Sequence, residues 1–318
     1  METEKKPLII LTGPTAVGKT DLSIALAKAV NGAVISADSM QVYRYMDIGS
    51  AKISKKEMQG VPHYLVDEFM PDEEFNVVKF QEYAQKYLNE IYAHGKIPII
   101  AGGTGFYIQA LLNDIDFTEQ ESDSTYRKEL EALAEEHGNQ YLHDRLKEVD
   151  PESAEAIHPN NRKRVIRALE FYQETGRKIS EHNAKEQMRT SPYNFAYFVL
   201  NDERSHLYKR IDARVDKMIE DGLEAEVRRL KEMGCTKDMV AMQGIGYKEM
   251  LSYLDGGYSL EEAVYIIKRE TRHFAKRQIT WFKRERDVIW LNKNEFDYKN
   301  EAILAYMIKI LKEKAIIS

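Results

Sequence analysis

The chain has 318 residues, 31% of them charged and 43% hydrophobic, with a formal net charge of −6 and one cysteine, Cys235. This is the composition of a globular protein with room for one large domain or two modest ones, and it excludes an internal disulfide framework or a cysteine-cluster zinc site. No apolar run approaches the ~20 residues needed to span a bilayer, and the polar start METEKKP leads straight into an apolar strand, so no signal peptide and a cytoplasmic location are expected.

Leu8, Ile9, Ile10 and Leu11 predict a short buried strand. Gly13, Pro14, Thr15, Ala16, Val17, Gly18, Lys19 and Thr20 follow it and match G-x-x-x-x-G-K-[ST], the phosphate-cradling P-loop. At average residue usage the pattern arises by chance roughly 0.01 times in a chain this long, so the motif is specific for phosphate. The two glycines permit the tight bend that turns N–H groups inward. The helix predicted through Leu22, Ile24, Ala25 and Leu26 adds its positive dipole end. Lys19 is suited to terminal phosphate oxygens, and Thr20 to a Mg²⁺ that bridges them.

Ala33 to Ala37 predicts a second strand, and Asp38 follows it. An aspartate there can cap a turn, hold Mg²⁺ through water or act as a general base; the P-loop in the adjacent unit favours a functional role. Phe75 to Gly95 reads as a helix, and Ile97 to Gly105 as a third strand ending in a glycine-rich turn around Thr104. Strands alternating with helices indicate a parallel sheet, whose ligands sit at the carboxyl ends of the strands. The P-loop, Asp38 and Thr104 all fall at such ends.

From about Asp116 to Thr190 the pattern is helical throughout, which predicts an insertion. Asn194 to Leu200 resumes as a strand, helices follow from Arg204 to Gly234, Lys248 to Asp255 and Leu260 to about Lys283, then a late strand at Asp287 to Asn292 and a last helix at Glu301 to Lys314. The expected fold is α/β: a P-loop NTPase-like parallel sheet core flanked by helices, made of residues 1–115 and 191–318, with an all-helical insertion domain at 116–190. Arg210 and Arg214 share one helix face, where one of them could clamp diphosphate oxygens or pair with Asp212, Asp216 or Asp221.

Although the chain is acidic, Lys268 to Arg286 carries eight lysines and arginines against two glutamates, a net +6, and Arg162, Lys163, Arg164 and Arg167 form a second cluster. Basic clusters on an acidic chain suggest a local footprint for an anionic partner, or solvated helix faces.

GPTAVGKT, SADSMQVYRYMDIGSAK, AGGTGFY, HPNNRKRVIRALE, RIDARVDKMIEDGLEAEV, GIGYKE and AKRQITWFKR occur in this order. With these motifs the chain closely resembles the tRNA dimethylallyltransferases over about residues 8–292. The resemblance implies transfer of a dimethylallyl group from dimethylallyl diphosphate to N6 of adenosine 37 in tRNA, with a P-loop that holds the donor's diphosphate rather than ATP. It implies Gly13 to Thr20 as the diphosphate site, Mg²⁺ near Thr20, Asp38 as the base, and Thr104 and Arg214 beside the diphosphate. It also implies tRNA contacts at Asp38, Ser39, Met40 and Gln41; at Arg162, Lys163, Arg164, Val165, Ile166 and Arg167; at Gln243, Gly244, Ile245, Gly246, Tyr247 and Lys248; and at Lys276, Arg277, Gln278, Trp281 and Lys283. Tyr247, Phe274 and Trp281 are candidates for stacking on RNA bases, or for places in the core. The insertion would contact the tRNA anticodon stem-loop. Eukaryotic members often add a C-terminal zinc finger that this sequence lacks, so a monomeric bacterial-type enzyme without zinc is expected. The competing readings are a small-molecule or nucleoside kinase using ATP, an adenylate isopentenyltransferase and a non-catalytic RNA-binding protein.

Overall fold

The computed structural model describes residues 5–115, 124–187 and 189–318. Six strands, β1 (Lys6–Thr12), β2 (Gly32–Ala37), β3 (His63–Tyr64), β4 (Ile97–Gly102), β5 (Tyr193–Asn201) and β6 (Val288–Asn292), form one parallel sheet in the order β3-β2-β4-β1-β5-β6. Helices α1 (Lys19–Ala29), α2 (Val77–Ala93) and α3 (Gly105–Leu112) fill the first crossovers. Then come α4 (Ser124–His137), α5 (Asn139–Val149), α6 (Pro151–Ala156), α7 (Arg162–Thr175) and α8 (Ile179–Gln187). The last group is α9 (Arg204–Glu220), α10 (Leu223–Glu232), α11 (Tyr247–Leu254), α12 (Leu260–Phe282) and α13 (Asn300–Glu313).

Both faces of the sheet are covered, which is why β1 reads as a continuous apolar run. Leu8 and Ile10 point into a core shared with α2, α3, α10, α11 and α12. Ile9 and Leu11 point into the opposite core with α1 and α13. Asn76 caps α2 by accepting from Val78 N and Lys79 N, and Ser259 with Glu262 forms a capping box on α12.

Register brings the strand ends together. Thr12 stands opposite Gly102, Gly102 opposite Ala37, and the Thr12 hydroxyl donates to Gly102 O at 2.7 Å. The segments after β1, β2 and β4 therefore leave the sheet side by side.

The chain divides into two compact units: one runs to Leu112 and resumes at Pro192, and the other covers Asn113–Ser191. The second unit has its own core of Leu130, Leu142, Leu146, Val165, Ile166 and Leu169. Its buried Asp150 caps α6 and accepts from the backbone and hydroxyls of Ser153 and Ser180, while buried Glu170 is held by a fork of bonds from Arg127. The expected start of the helical stretch at Asp116 lies outside the described residues. No described helix is long and apolar enough to cross a membrane.

The structure departs from expectation in four places. β3, only two residues long, gave no apolar signal. The third strand stops at Gly102, and Gly105 already begins α3. The helix pattern from Arg204 breaks at Gly222, whose φ of 100° lies in the left-handed region that ends α9 and starts α10. α11 starts at Tyr247, one residue early.

Candidate active site

The P-loop bends where expected, for identifiable steric reasons. Gly13 has φ 150°, and a β-carbon there would lie 2.2 Å from Leu200 O. Gly18, at φ 99°, stands at the N-terminus of α1. Thr15, Gly18, Lys19 and Thr20 line a cavity together with Asp38, Gln41, Gly103 and Arg214. Four separated segments thus converge on one space. Part of the remaining wall is apolar: Val34, Ile53, Val66, Ala101 and Phe274.

Lys19 Nζ donates to Gly13 O at 3.0 Å and Pro14 O at 2.9 Å. Burial and the nearby Arg214 push its pKa down to about 7, against a smaller upward pull from Asp38. Burial, with Arg210, also lowers the pKa of Arg214, which Asp38 offsets in part. The cavity is a site where cations are crowded and desolvated, so an anion inside it is strongly favoured.

Asp38 has two roles. Its Oδ1 accepts from Met40 N at 2.9 Å and Gln41 N at 3.4 Å, so it does cap the turn, while its carboxylate lines the cavity opposite the P-loop. Gln41 ties that turn to the far end of the loop by donating to Ala51 O at 3.2 Å. Thr104 enters α3, its carbonyl accepting from Tyr107 N, and its amide donates to Ala37 O at 3.1 Å.

The aspartates flanking the two arginines of α9 are engaged elsewhere. Asp212 pairs with Arg272 at 2.7 Å, Asp216 with Lys268 at 2.5 Å and Asp221 with Lys217 at 2.5 Å. Arg214 is left to the cavity and Arg210 to the P-loop, where its Nε donates to Ala16 O at 2.8 Å. The same pairs take Lys268 and Arg272 out of the basic segment. Arg269, exposed, pairs with Glu270 at 2.9 Å, and the rest of the outward charge is Lys276, Arg277, Lys283, Arg284 and Arg286.

Several residues expected at the RNA surface lie elsewhere. Gln278 is 7% exposed. Its Oε1 accepts from Thr15 N at 2.8 Å and its Nε2 donates to Gly103 O at 2.9 Å, so it bolts α12 to both the P-loop and the glycine turn. A β-carbon on Gly103 would lie 2.3 Å from that Nε2, which explains the glycine. Tyr247 is fully buried, so its ring is not free to stack on a base. It packs on Gly49, and its hydroxyl donates to Glu226 Oε1 at 2.8 Å. Val165 and Ile166, 1% and 3% exposed, belong to the core of the helical unit because they occupy the inward face of α7. Lys163 and Arg164 on the same helix are exposed, and Arg162 lies 3.9 Å from Glu135. Gln243 donates to Lys237 O, Gly244 packs against Met40, and Gly246 N donates to Glu249, so this stretch builds the start of α11; Ile245 packs beside it and Lys248 is exposed. Trp281 packs flat against Gly105, whose β-carbon would meet the indole at 2.2 Å, and lies edge-on to Phe106, which is 41% exposed.

Sequence reasoning missed three residues. Glu226 accepts from the amides of Asp47, Ile48 and Gly49 and so anchors the loop after Asp38. Lys52, buried between Asp47 and Asp67, closes the same loop. Lys293 reaches the P-loop from beyond β6. Lys52 and Glu226 fall within the SADSMQVYRYMDIGSAK and RIDARVDKMIEDGLEAEV motifs, but nothing in those motifs names their partners, and no motif marks Lys293.

The IPP transferase family model matches residues 41–285. The tRNA dimethylallyltransferase of Lachnoclostridium phytofermentans is 64% identical over 98% of this chain and 99% of its own length, and that of Acetivibrio thermocellus is 52% identical over 93% and 95%. Among solved structures, the tRNA isopentenylpyrophosphate transferase of Bacillus halodurans is similar with a TM-score of 0.73 at 46% identity, over 98% of both chains. A eukaryotic dimethylallyltransferase solved acting on tRNA has a TM-score of 0.77 at 33% identity, over 90% of this chain and 74% of its own. On these matches the chain belongs to the IPP transferase family, among the bacterial tRNA dimethylallyltransferases.

Proposed function

We propose that the chain transfers a dimethylallyl group from dimethylallyl diphosphate to N6 of adenosine 37 in tRNA, with Asp38 as general base. One observation carries this reading: Asp38 shares a cavity with the P-loop and Arg214, and part of the remaining wall is apolar. A phosphate grip beside a small apolar lining suits a five-carbon allylic diphosphate.

The exocyclic amine of adenine is a poor nucleophile because its lone pair is delocalised into the ring. Asp38 takes its proton as the C–N bond forms, through the carboxylate oxygen that Met40 N and Gln41 N do not occupy. The allylic C–O bond breaks toward a charge-delocalised carbon, so negative charge builds early on the leaving diphosphate. Lys19, Arg214 and the loop amides are in place to stabilise it. The buried walls keep water from intercepting the allylic carbon.

The donor set also fits a divalent ion. The Thr20 hydroxyl is a hard oxygen ligand lining the cavity, and the described residues contain no cluster of three His, Cys, Asp or Glu that could hold a metal alone. Mg²⁺ characteristically takes one or two protein ligands and completes its shell with phosphates and water. Bound near Thr20, it would neutralise charge on the diphosphate.

The adenine must leave the anticodon-loop stack, at a cost of a few kcal/mol. Phe106 and Trp281 offer an aromatic rim, where each base contact contributes roughly 1–3 kcal/mol. The test is incubation with labelled dimethylallyl diphosphate and unmodified tRNA, AMP or ATP in parallel. Label should enter tRNA alone. Label in AMP would instead show an adenylate isopentenyltransferase, and ATP consumption without prenyl transfer a kinase.

A further inference from the structure

The outer face of the P-loop carries a second set of cations that the chemistry above does not use. Two carbonyls of the loop are held by these cations. Ala16 O accepts from Arg210 Nε at 2.8 Å, and Val17 O from Lys293 Nζ at 3.3 Å. A β-carbon on Gly18 would stand 3.4 Å from Arg210 Nη2 and 3.5 Å from Lys293 Nζ. Both cations therefore lie beside the residue that caps the start of α1.

That placement is electrostatically unfavourable for the fold alone. The N-terminus of a helix is already its positive end. Lys293 is 7% exposed, and burial followed by the Arg210 charge lowers its pKa. The acids that oppose these effects are Asp202 and Asp21. Asp202 is engaged by the Glu203 amide and by His206 at 2.7 Å, and Asp21 is exposed. A neutral side chain of similar length would fill the space without the penalty. The charge becomes favourable when an anion lies on the inner face of the same loop.

We propose that Lys293, with Arg210, is a positioning residue for the donor: it holds the P-loop carbonyls from outside and charges the loop, so that diphosphate affinity depends on a lysine that does not touch the diphosphate. This rests on the reading of Gly13 to Thr20 as the diphosphate site. Lys293 follows β6, outside the P-loop and the α9 motif, and so couples the last strand of the sheet to the first loop.

Two substitutions separate charge from packing. Lys293→Gln keeps an N–H for Val17 O but removes the charge; Lys293→Arg keeps the charge. The readouts are inorganic pyrophosphate affinity by calorimetry in the presence of Mg²⁺, KM for dimethylallyl diphosphate and kcat with saturating tRNA, tRNA affinity by filter binding, and Tm without pyrophosphate. For Lys293→Gln, pyrophosphate affinity should fall and donor KM should rise on the order of five- to tenfold. Its kcat should stay within about twofold, tRNA affinity should be unchanged, and Tm should be equal or higher, since a buried unneeded charge has gone. Lys293→Arg should bind pyrophosphate like the wild type. Wild-type affinity in Lys293→Gln, a Tm loss with all parameters falling together, or an arginine variant no better than glutamine would each overturn the proposal. Lys19→Ala serves as the control: if it still binds pyrophosphate normally, the diphosphate reading itself fails. If it loses binding while Lys293→Gln does not, only the role of Lys293 is refuted.

Discussion

Gln278→Ala tests whether the AKRQITWF motif recognises RNA or assembles the donor site. The substitution removes an acceptor 2.8 Å from Thr15 N and a donor 2.9 Å from Gly103 O. Each buried group left unsatisfied costs about 1–3 kcal/mol. The adjoining cavity admits water to the vacated space, which sets the combined loss near the lower end, about 2–3 kcal/mol, or a Tm decrease of roughly 5 °C for a domain of this size. With Thr15 N released, the loop loses preorganisation, and pyrophosphate affinity should fall by about tenfold. Filter-binding affinity for tRNA should not change. Gln278→Glu should be worse than alanine for the donor despite its similar shape, because it faces Gly103 O with an anionic oxygen beside the diphosphate site. Gly103→Ala strikes the same bond, so the double variant should be little worse than the worse single variant. If Gln278→Ala instead weakens tRNA binding while Tm and pyrophosphate affinity stay at wild-type values, Gln278 is an RNA contact and its bridging role is refuted.

Asp38→Asn preserves an acceptor for Met40 N, so it should keep fold and donor binding yet slow single-turnover transfer by about 10²–10⁴-fold; a loss under about tenfold would reduce Asp38 to a turn cap. Replacing Lys276 and Arg277 together by alanine should weaken tRNA binding and shallow its log–log salt slope by somewhat under two units, whereas replacing Lys268 and Arg272, which pair with Asp216 and Asp212, should mainly lower Tm; equal effects on the salt slope would contradict this division. Asp150 is pulled upward by burial, but bonds from Ser153 and Ser180 prevail and hold its carboxyl below its ordinary value. Its folded pKa thus lies below the unfolded one, so its stabilisation is complete above the unfolded value near 3.9 and is lost as pH falls through the folded value. Asp150→Asn should lower Tm at pH 6, and its deficit relative to wild type should shrink toward pH 3; a deficit that does not depend on pH would show that the charge contributes nothing.

The sheet was legible because strands buried on both faces carry unbroken apolar runs, as in Leu8 to Leu11 and Ala33 to Ala37, and the P-loop because its glycines are dictated by φ and by the approach of Leu200 O. β3 was illegible because two residues at a sheet edge need no apolar signature. At the site, local pattern marked the residues that line the cavity, such as Lys19, Asp38 and Arg214, since each sits at a strand end or on a periodic helix face. It did not distinguish residues that touch a ligand from residues that hold those that do. Gln278 and Tyr247 stand in basic or glycine-rich motifs, which read as RNA-facing, but both side chains turn inward. Glu226 and Lys293 act across long stretches of chain, and single-sequence periodicity carries no information on such pairs; Lys52 closes its own loop, where no regular period exists to read.

The inward-turned residues explain how one strand-end site can serve two substrates of opposite size. The P-loop is held by bonds that converge on it from α9, from α12 and from the segment after β6: Arg210 donates to Ala16 O, Lys293 donates to Val17 O, and Gln278 accepts from Thr15 N. The loop after Asp38 hangs from Glu226, which gathers the amides of Asp47, Ile48 and Gly49 and accepts from the Tyr247 hydroxyl as well. Asp38 opens that loop and Gln41 closes it on Ala51, so its carboxylate is placed from α10 and α11 rather than from the P-loop. Gln278 also grips Gly103 beside β2, and it is therefore bonded both to the P-loop and to the turn adjoining Asp38. α12 also presents Lys276 and Arg277 outward, so in the proposed reaction an RNA held there would share one helix with the side chain that fixes the P-loop. A helix in this position can align acceptor and diphosphate without any large movement of the sheet, because its two faces are one turn or less apart along the chain.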